Sequence, residues 1–134
     1  DGTLPSSSTR VWLGDSMGEM AAYYALADLA LVGGTLLPFG GQNLIEAAAC
    51  GCPVVLGPHS FNFAQASEDA IACGAARRVA DAVAAAAATR DLLNDQQRLL
   101  VMRTAATTFS QAYRGATLRS MQLVQRLMAL RKGR

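Results

Sequence analysis

Two pairs of residues in this chain have types and spacing that could do chemistry. Ser16 with Glu19 and Asn43 with Glu46 each place a helix-capping side chain three residues ahead of a glutamate. Backbone N–H groups at such a helix start, together with the helix dipole, favour an anion such as a phosphate. A glutamate in the first turn can accept hydrogen bonds from ribose hydroxyls or a base amino group. The plainer alternative is that each glutamate only closes a capping box worth ~1 kcal/mol, which needs no ligand. The second pair ends the stretch LALVGGTLLPFGGQNLIE, residues 29–46, in which an apolar run meets two glycine pairs, Gly33-Gly34 and Gly40-Gly41. Gly33-Gly34 lets the backbone turn where a side chain would clash, so the stretch reads as a ligand-binding turn. His59, in GPHSFNF, could reach the same ligand from the next loop or be an ordinary satisfied loop residue.

Other chemistries find no pattern here. The chain lacks G-x-x-x-x-G-K-[ST] and G-x-G-x-x-G, which disfavours a nucleoside triphosphatase or an ordinary dinucleotide enzyme. It also lacks a G-x-S-x-G elbow, an H-E-x-x-H helix and a D-x-D pair, so neither hydrolase chemistry nor a metal-held nucleotide sugar is supported. Cys50, Cys52 and Cys73 have no C-x-x-C spacing and lie in alanine-rich surroundings, where they read as reduced, buried fillers of a cytosolic protein. No structural or catalytic metal is expected.

These residues need elements to hold them. Residues 1–10, rich in serine and proline, read as a linker or a cut end, and residues 11–134 as one domain. Val11, Trp12 and Leu13 suggest a short strand, and a helix opening at Ser16/Glu19 carries Met20, Tyr23, Tyr24 and Ala27 at helical spacing to near Asp28. Leu29–Val32 suits a strand buried on both faces. The long loop from Thr35 to Gln42 leads to a helix from Asn43 that closes at Gly51. Pro53 introduces a strand at Val54–Leu56, and Phe61-Asn62-Phe63 leads into a helix to about Cys73, stopped by Gly74. Arg77–Val79 is a weak edge strand, and Asp81 caps a helix reaching roughly Leu93. Two helices follow, Gln96 to about Gln111 and about Ala116 to Arg131, separated by Gly115. The last sets Leu118, Met121, Val124 and Met128 on one face and Arg119, Arg126 and Arg131 elsewhere, which reads as a surface helix packed by its apolar stripe.

Four alternations of strand and helix imply a Rossmann-like α/β fold, a parallel sheet with helices on both faces, ending in C-terminal helices. Ligands bind beyond the carboxyl ends of such strands, where both capping pairs should lie. With 134 residues, 51% of them hydrophobic, the chain can bury one core. A net charge of +2 without an aromatic-interleaved basic patch gives no reason to expect nucleic acid. No secretory leader pattern is present, and no apolar run approaches the ~18 residues of a membrane span.

In order and spacing, GDSMGEM (residues 14–20), VGGTLLPFGGQNLIEAAACGCPV (residues 32–54) and GPHSFNF (residues 57–63) resemble the C-terminal domain of the 3-deoxy-D-manno-octulosonic acid (Kdo) transferases. The resemblance covers nearly the whole chain from Val11. It implies the C-terminal half of a GT-B glycosyltransferase that binds CMP-Kdo and needs no cofactor or metal, beside a separate N-terminal domain that binds lipid A precursor at the cytoplasmic face of the bacterial inner membrane. The CMP contacts it implies fall on Met17, Gly18 and Glu19 and on Asn43, Leu44, Ile45 and Glu46, with Gly33, Gly34 and Gln42 completing the donor-binding set. Gln42 departs from the family's usual histidine and carries neither charge nor a mobile proton near neutral pH. The family's catalytic base and its proline-arginine CMP segment lie upstream of Asp1, so no catalytic residue is expected within this chain, and the chain alone is expected to bind without transferring. Two alternatives stay open: another GT-B-type transferase or epimerase using a UDP-sugar, and a non-catalytic Rossmann-like binding module.

Overall fold

The computed structural model describes residues 6–132; residues 1–5, half of the expected leading linker, lie outside that range. Residues 6–10 are exposed, with a turn in which Thr9 N–H donates to Ser6 O at 3.0 Å. In chain order the elements are α1 (Met20–Leu26), β1 (Ala30–Leu31), α2 (Leu44–Ala49), β2 (Val54–Leu56), a 3-10 turn (Phe61–Phe63), α3 (Ala64–Ala72), β3 (Ala76–Arg78), α4 (Ala82–Leu93), α5 (Gln96–Tyr113) and α6 (Ala116–Lys132). The strands pair in parallel in the order β1-β2-β3, with Ala30 opposite Val54, Leu31 opposite Val55, and Val54, Val55 and Leu56 opposite Ala76, Arg77 and Arg78.

Among the described strands only β2 is buried along its whole length, because it alone of them has a strand on each side. Its side chains alternate between two cores, as the pleat requires. Val54 and Leu56 pack with Leu44, Ala47 and Ala48 of α2 and Ala66 and Ala70 of α3; Val55 faces Ala85, Ala88 and Leu92 of α4. Burying each such aliphatic side chain is worth ~1.5–3 kcal/mol. Helices therefore cover both faces of the sheet, as the alternation implies. The long α5 serves both cores, giving Leu99 and Met102 to the α4 side and Ala106 and Phe109 to the other. Its far end is tied to α3 where Tyr113 Oη donates to Asp69 at 2.6 Å, and its middle to the segment before β1 where Arg103 pairs with Asp28 at 2.8 Å.

Several sequence expectations are corrected. Val11–Leu13 forms no strand and stands exposed: a strand exists only against a partner, and the sheet among the described residues has three members. The run 29–32 yields a two-residue edge strand rather than one buried on both faces, and Leu31 is 49% exposed on the open side. The first helix starts at Met20 with no side-chain cap, because Gly18, at φ +87°, turns the backbone out of helical space just before it. The Ser16 hydroxyl instead bonds the Glu19 carboxylate directly. Of the cysteines only Cys52 is buried; Cys50 is half-buried and Cys73 exposed at the C-cap of α3. In α6 the apolar side chains of Met121, Val124 and Met128 are all exposed rather than packed on the domain; the Leu118, Arg119 and Arg131 side chains lie outside the described residues.

Other boundaries hold. Asn43, Asp81 and Asp95 cap α2, α4 and α5 by accepting from Ile45, Ala84 and Arg98 N–H. Gly51, Gly74 and Gly115 follow the ends of α2, α3 and α5 with positive φ, the conformation a helix terminus most often gives to glycine.

Candidate functional site

Beyond the carboxyl ends of β1 and β2, two loops are bound into one body by Thr35. This residue is 1% exposed. Its hydroxyl donates to Val32 O at 2.6 Å and accepts from Gly57 N–H at 2.9 Å, while its carbonyl accepts from His59 N–H at 2.9 Å. The glycine-rich loop closes on itself where Gly41 N–H donates to Gly34 O at 3.1 Å. Asn62 secures the same loop from the other side, its N–H donating to Gly40 O at 3.1 Å and its Nδ2 to Phe39 O at 3.2 Å. Behind them Arg78, at the end of β3, bridges Ser60 at 3.1 Å and Glu68 at 2.7 Å.

The glycines of this region are not equivalent. A Cβ on Gly40 would meet Asn62 at 2.4 Å, and one on Gly41 would meet the Thr35 methyl at 2.7 Å; both residues also have positive φ. Gly34 turns at φ +73°. Gly33 faces open space with no such backbone demand, so the expected clash does not occur there.

This framework sets Asn43 at the start of α2. Its Oδ1 accepts from Ile45 N–H at 3.1 Å and its Nδ2 donates to Glu46 Oε1 at 2.9 Å. Glu46 thus meets the side chain of Asn43, whereas a full capping box would have it reach the backbone. Beyond it, between α1 and α2, lies a groove of about 430 Å³ lined by Gly18, Met20, Ala21, Glu46, Ala49 and Cys50. The turn before α1 and the start of α2 therefore meet at this groove through Gly18 and Glu46. Glu19 is not among the lining residues; its carboxylate is held by Ser16 and lies 3.4 Å from Tyr23 Oη. Tyr24 of α1 packs nearby, its phenol pKa pushed up by burial and further by the Glu46 carboxylate.

The remaining expected site residues divide by exposure. Met17 is 97% exposed, and Gln42 and Gly33 are open. Leu44 is 2% exposed, so its side chain belongs to the core and only its backbone can face a ligand. Ile45 is half-buried and its N–H already serves the cap. The first-turn N–H groups of Leu44 and Glu46 have no intrahelical partner. His59 is half-buried on the loop that Thr35 holds. Thr35, Asn62 and Tyr24 were not legible as site residues; the available hints were a threonine directly after Gly33-Gly34 and an asparagine between two phenylalanines. A larger groove of about 640 Å³ between Leu31, Leu36 and α4 is lined mainly by apolar side chains, together with Thr89, Arg90 and Asn94, and touches none of these groups. Among the described residues no three His, Cys, Asp or Glu side chains cluster to hold a metal.

No family model matches the chain. The chain is 48% identical over 121 residues to a 3-deoxy-D-manno-octulosonic acid transferase of Bordetella pertussis, which spans 90% of this chain and 28% of that protein. It is 50% identical over 60 residues to the Haemophilus influenzae protein of the same name, covering 45% of this chain and 14% of that one. Among solved structures it is similar to the C-terminal CMP-Kdo binding domain of WaaA from Acinetobacter baumannii, with a TM-score of 0.73 and 33% identity over 78% of this chain and 54% of that one. Together with this likeness, the parallel sheet covered by helices matches the C-terminal α/β domain of a GT-B glycosyltransferase. Within that class, the chain's curated homologues are 3-deoxy-D-manno-octulosonic acid transferases, the Bordetella protein being alike over 90% of this chain. The chain spans just over a quarter of the length of the Bordetella protein.

Proposed function

We propose that this chain is the donor-binding part of an inverting glycosyltransferase that moves Kdo from CMP-Kdo to a lipid A precursor in lipopolysaccharide synthesis. The observation that carries the reading is the likeness in sequence and fold to a CMP-Kdo binding domain, at 33% identity over 78% of the chain. The site's chemistry agrees with it. Glu46 lines a groove between two helices and can accept from ribose hydroxyls, and the first-turn amides of Leu44 and Glu46 can face the phosphate. As the sugar–phosphate bond breaks, negative charge grows on CMP, and fixed N–H donors stabilise it without reorganising. Gly18 lines the same groove, and on this reading Met17, Gly33, Gly34 and Gln42 complete the donor-binding set. On this reading acceptor binding and the base that deprotonates the acceptor hydroxyl belong to the rest of the protein, and transfer to the lipid acceptor runs at the cytoplasmic face of the inner membrane.

Calorimetric titration of the longer protein carrying this chain with CMP, UMP and UDP tests the assignment. CMP is expected to bind at least tenfold more tightly than either uridine nucleotide, a difference of ~1.4 kcal/mol. A preference for UDP would overturn it in favour of a UDP-sugar enzyme, and no binding of any of the three would leave a non-catalytic module.

A further inference from the structure

We infer that Thr35 is a positioning residue for the donor, acting through the loops it joins without touching the ligand. Its role as a donor-positioning group rests on the CMP-Kdo reading above; its coupling of the loops does not. Thr35 is the one described residue that bonds the end of β1, the turn after β2 and its own glycine loop together. The hydroxyl satisfies Val32 C=O and Gly57 N–H, and the carbonyl takes His59 N–H. The methyl occupies the space that a Gly41 Cβ would need, and a Cβ on Gly57 would come within 2.3 Å of the Thr35 carbonyl oxygen. Gly41 and Gly57 are thus the two small residues that admit this threonine. Two residues after Gly41 comes Asn43, which orients Glu46. The position of Glu46 relative to the carboxyl edge of the sheet is therefore fixed through a continuous path: β2, Gly57, Thr35, Gly41, Asn43, Glu46.

The hydroxyl is the essential part of that path. Valine has nearly the same shape, but would leave Gly57 N–H and Val32 C=O buried without partners, whereas serine retains both bonds and loses only the methyl. A purely structural threonine would lower stability when replaced and leave the affinity of the folded molecules unchanged.

The experiment compares Thr35→Val and Thr35→Ser in the longer protein, reading native-state amide exchange at Gly57 and His59 and, separately, CMP affinity well below the melting temperature. Thr35→Val is expected to speed exchange at both amides and weaken CMP binding, each by roughly tenfold. Thr35→Ser should restore both to within about threefold of the parent. Wild-type exchange in Thr35→Val would overturn the inference, as would unchanged CMP affinity in molecules whose amides do open. If Thr35→Val does not fold, Thr35→Ser decides: a tenfold loss of CMP affinity with both amides still protected would put the role in the methyl and overturn the hydroxyl path. If the parent protein binds no CMP, the donor reading fails, while the exchange arm still tests the loop coupling.

Discussion

Asn43 uses both ends of its amide, one to cap α2 and one to hold Glu46, and this leaves Glu46 with one oxygen free to face the groove. A glutamine at 46 can still accept from Asn43 through its carbonyl, but then presents an NH₂ donor outward where a ribose hydroxyl needs an acceptor. Glu46→Gln is expected to shift stability by less than ~0.5 kcal/mol in denaturant melts and to lower CMP affinity roughly tenfold, by loss of a charge-assisted bond. Unchanged affinity in the folded variant would return Glu46 to the role of a cap. The sequence was enough to single out Asn43 and Glu46 because a cap and its partner lie three residues apart on one chain segment. It could not single out Thr35, whose partner Gly57 is 22 residues away and means nothing until β1 and β2 are paired. The same limit explains Gly33 and Gly57. Gly33, the first of its pair, looked sterically required and is open, while the single glycine after β2 lies against a backbone oxygen.

Helices were more legible than strands for a related physical reason. Capping aspartates and terminal glycines act within one turn, so the start of α4 and the ends of α3 and α5 follow from Asp81, Gly74 and Gly115, but Val11–Leu13 has strand composition without a neighbour to pair with. Contacts between helices lay beyond such reading, and the bond from Tyr113 to Asp69 is one with a measurable signature. Accepting from Tyr113, and then from Gln65, lowers the Asp69 pKa below its usual 3.8; the same bond raises Tyr113 to about 12 from 10.0. The depressed carboxylate contributes stability above its ordinary pKa that is lost as pH falls through the folded value. The raised phenol contributes stability below pH 10 that is lost as pH climbs towards 12. The stability difference between the parent chain and Tyr113→Phe should therefore be constant across the neutral range and shrink at both extremes. A difference that stays flat from pH 2 to 12 would show that the two groups do not interact in solution.

At the scale of the whole molecule, firmness is unevenly distributed. The centre of the sheet is sealed on both faces, whereas α6 follows Gly115 with Met121, Leu123, Val124, Met128 and Leu130 all exposed. Amides between Met121 and Leu130 in the isolated chain are expected to exchange orders of magnitude faster than those of Val54–Leu56; equal protection would mean that α6 is packed in solution. The fold class was legible because alternating strands and helices admit few parallel arrangements, but how firmly each helix is held depends on contacts that periodicity does not report. The opposite case is α5. Because it furnishes Leu99 and Met102 to one core and Ala106 and Phe109 to the other, neither face of the sheet can lose its packing while the other keeps its own. The two cores are thereby joined into one thermodynamic unit, and heating should melt residues 30–113 in a single cooperative step whose calorimetric and van't Hoff enthalpies agree.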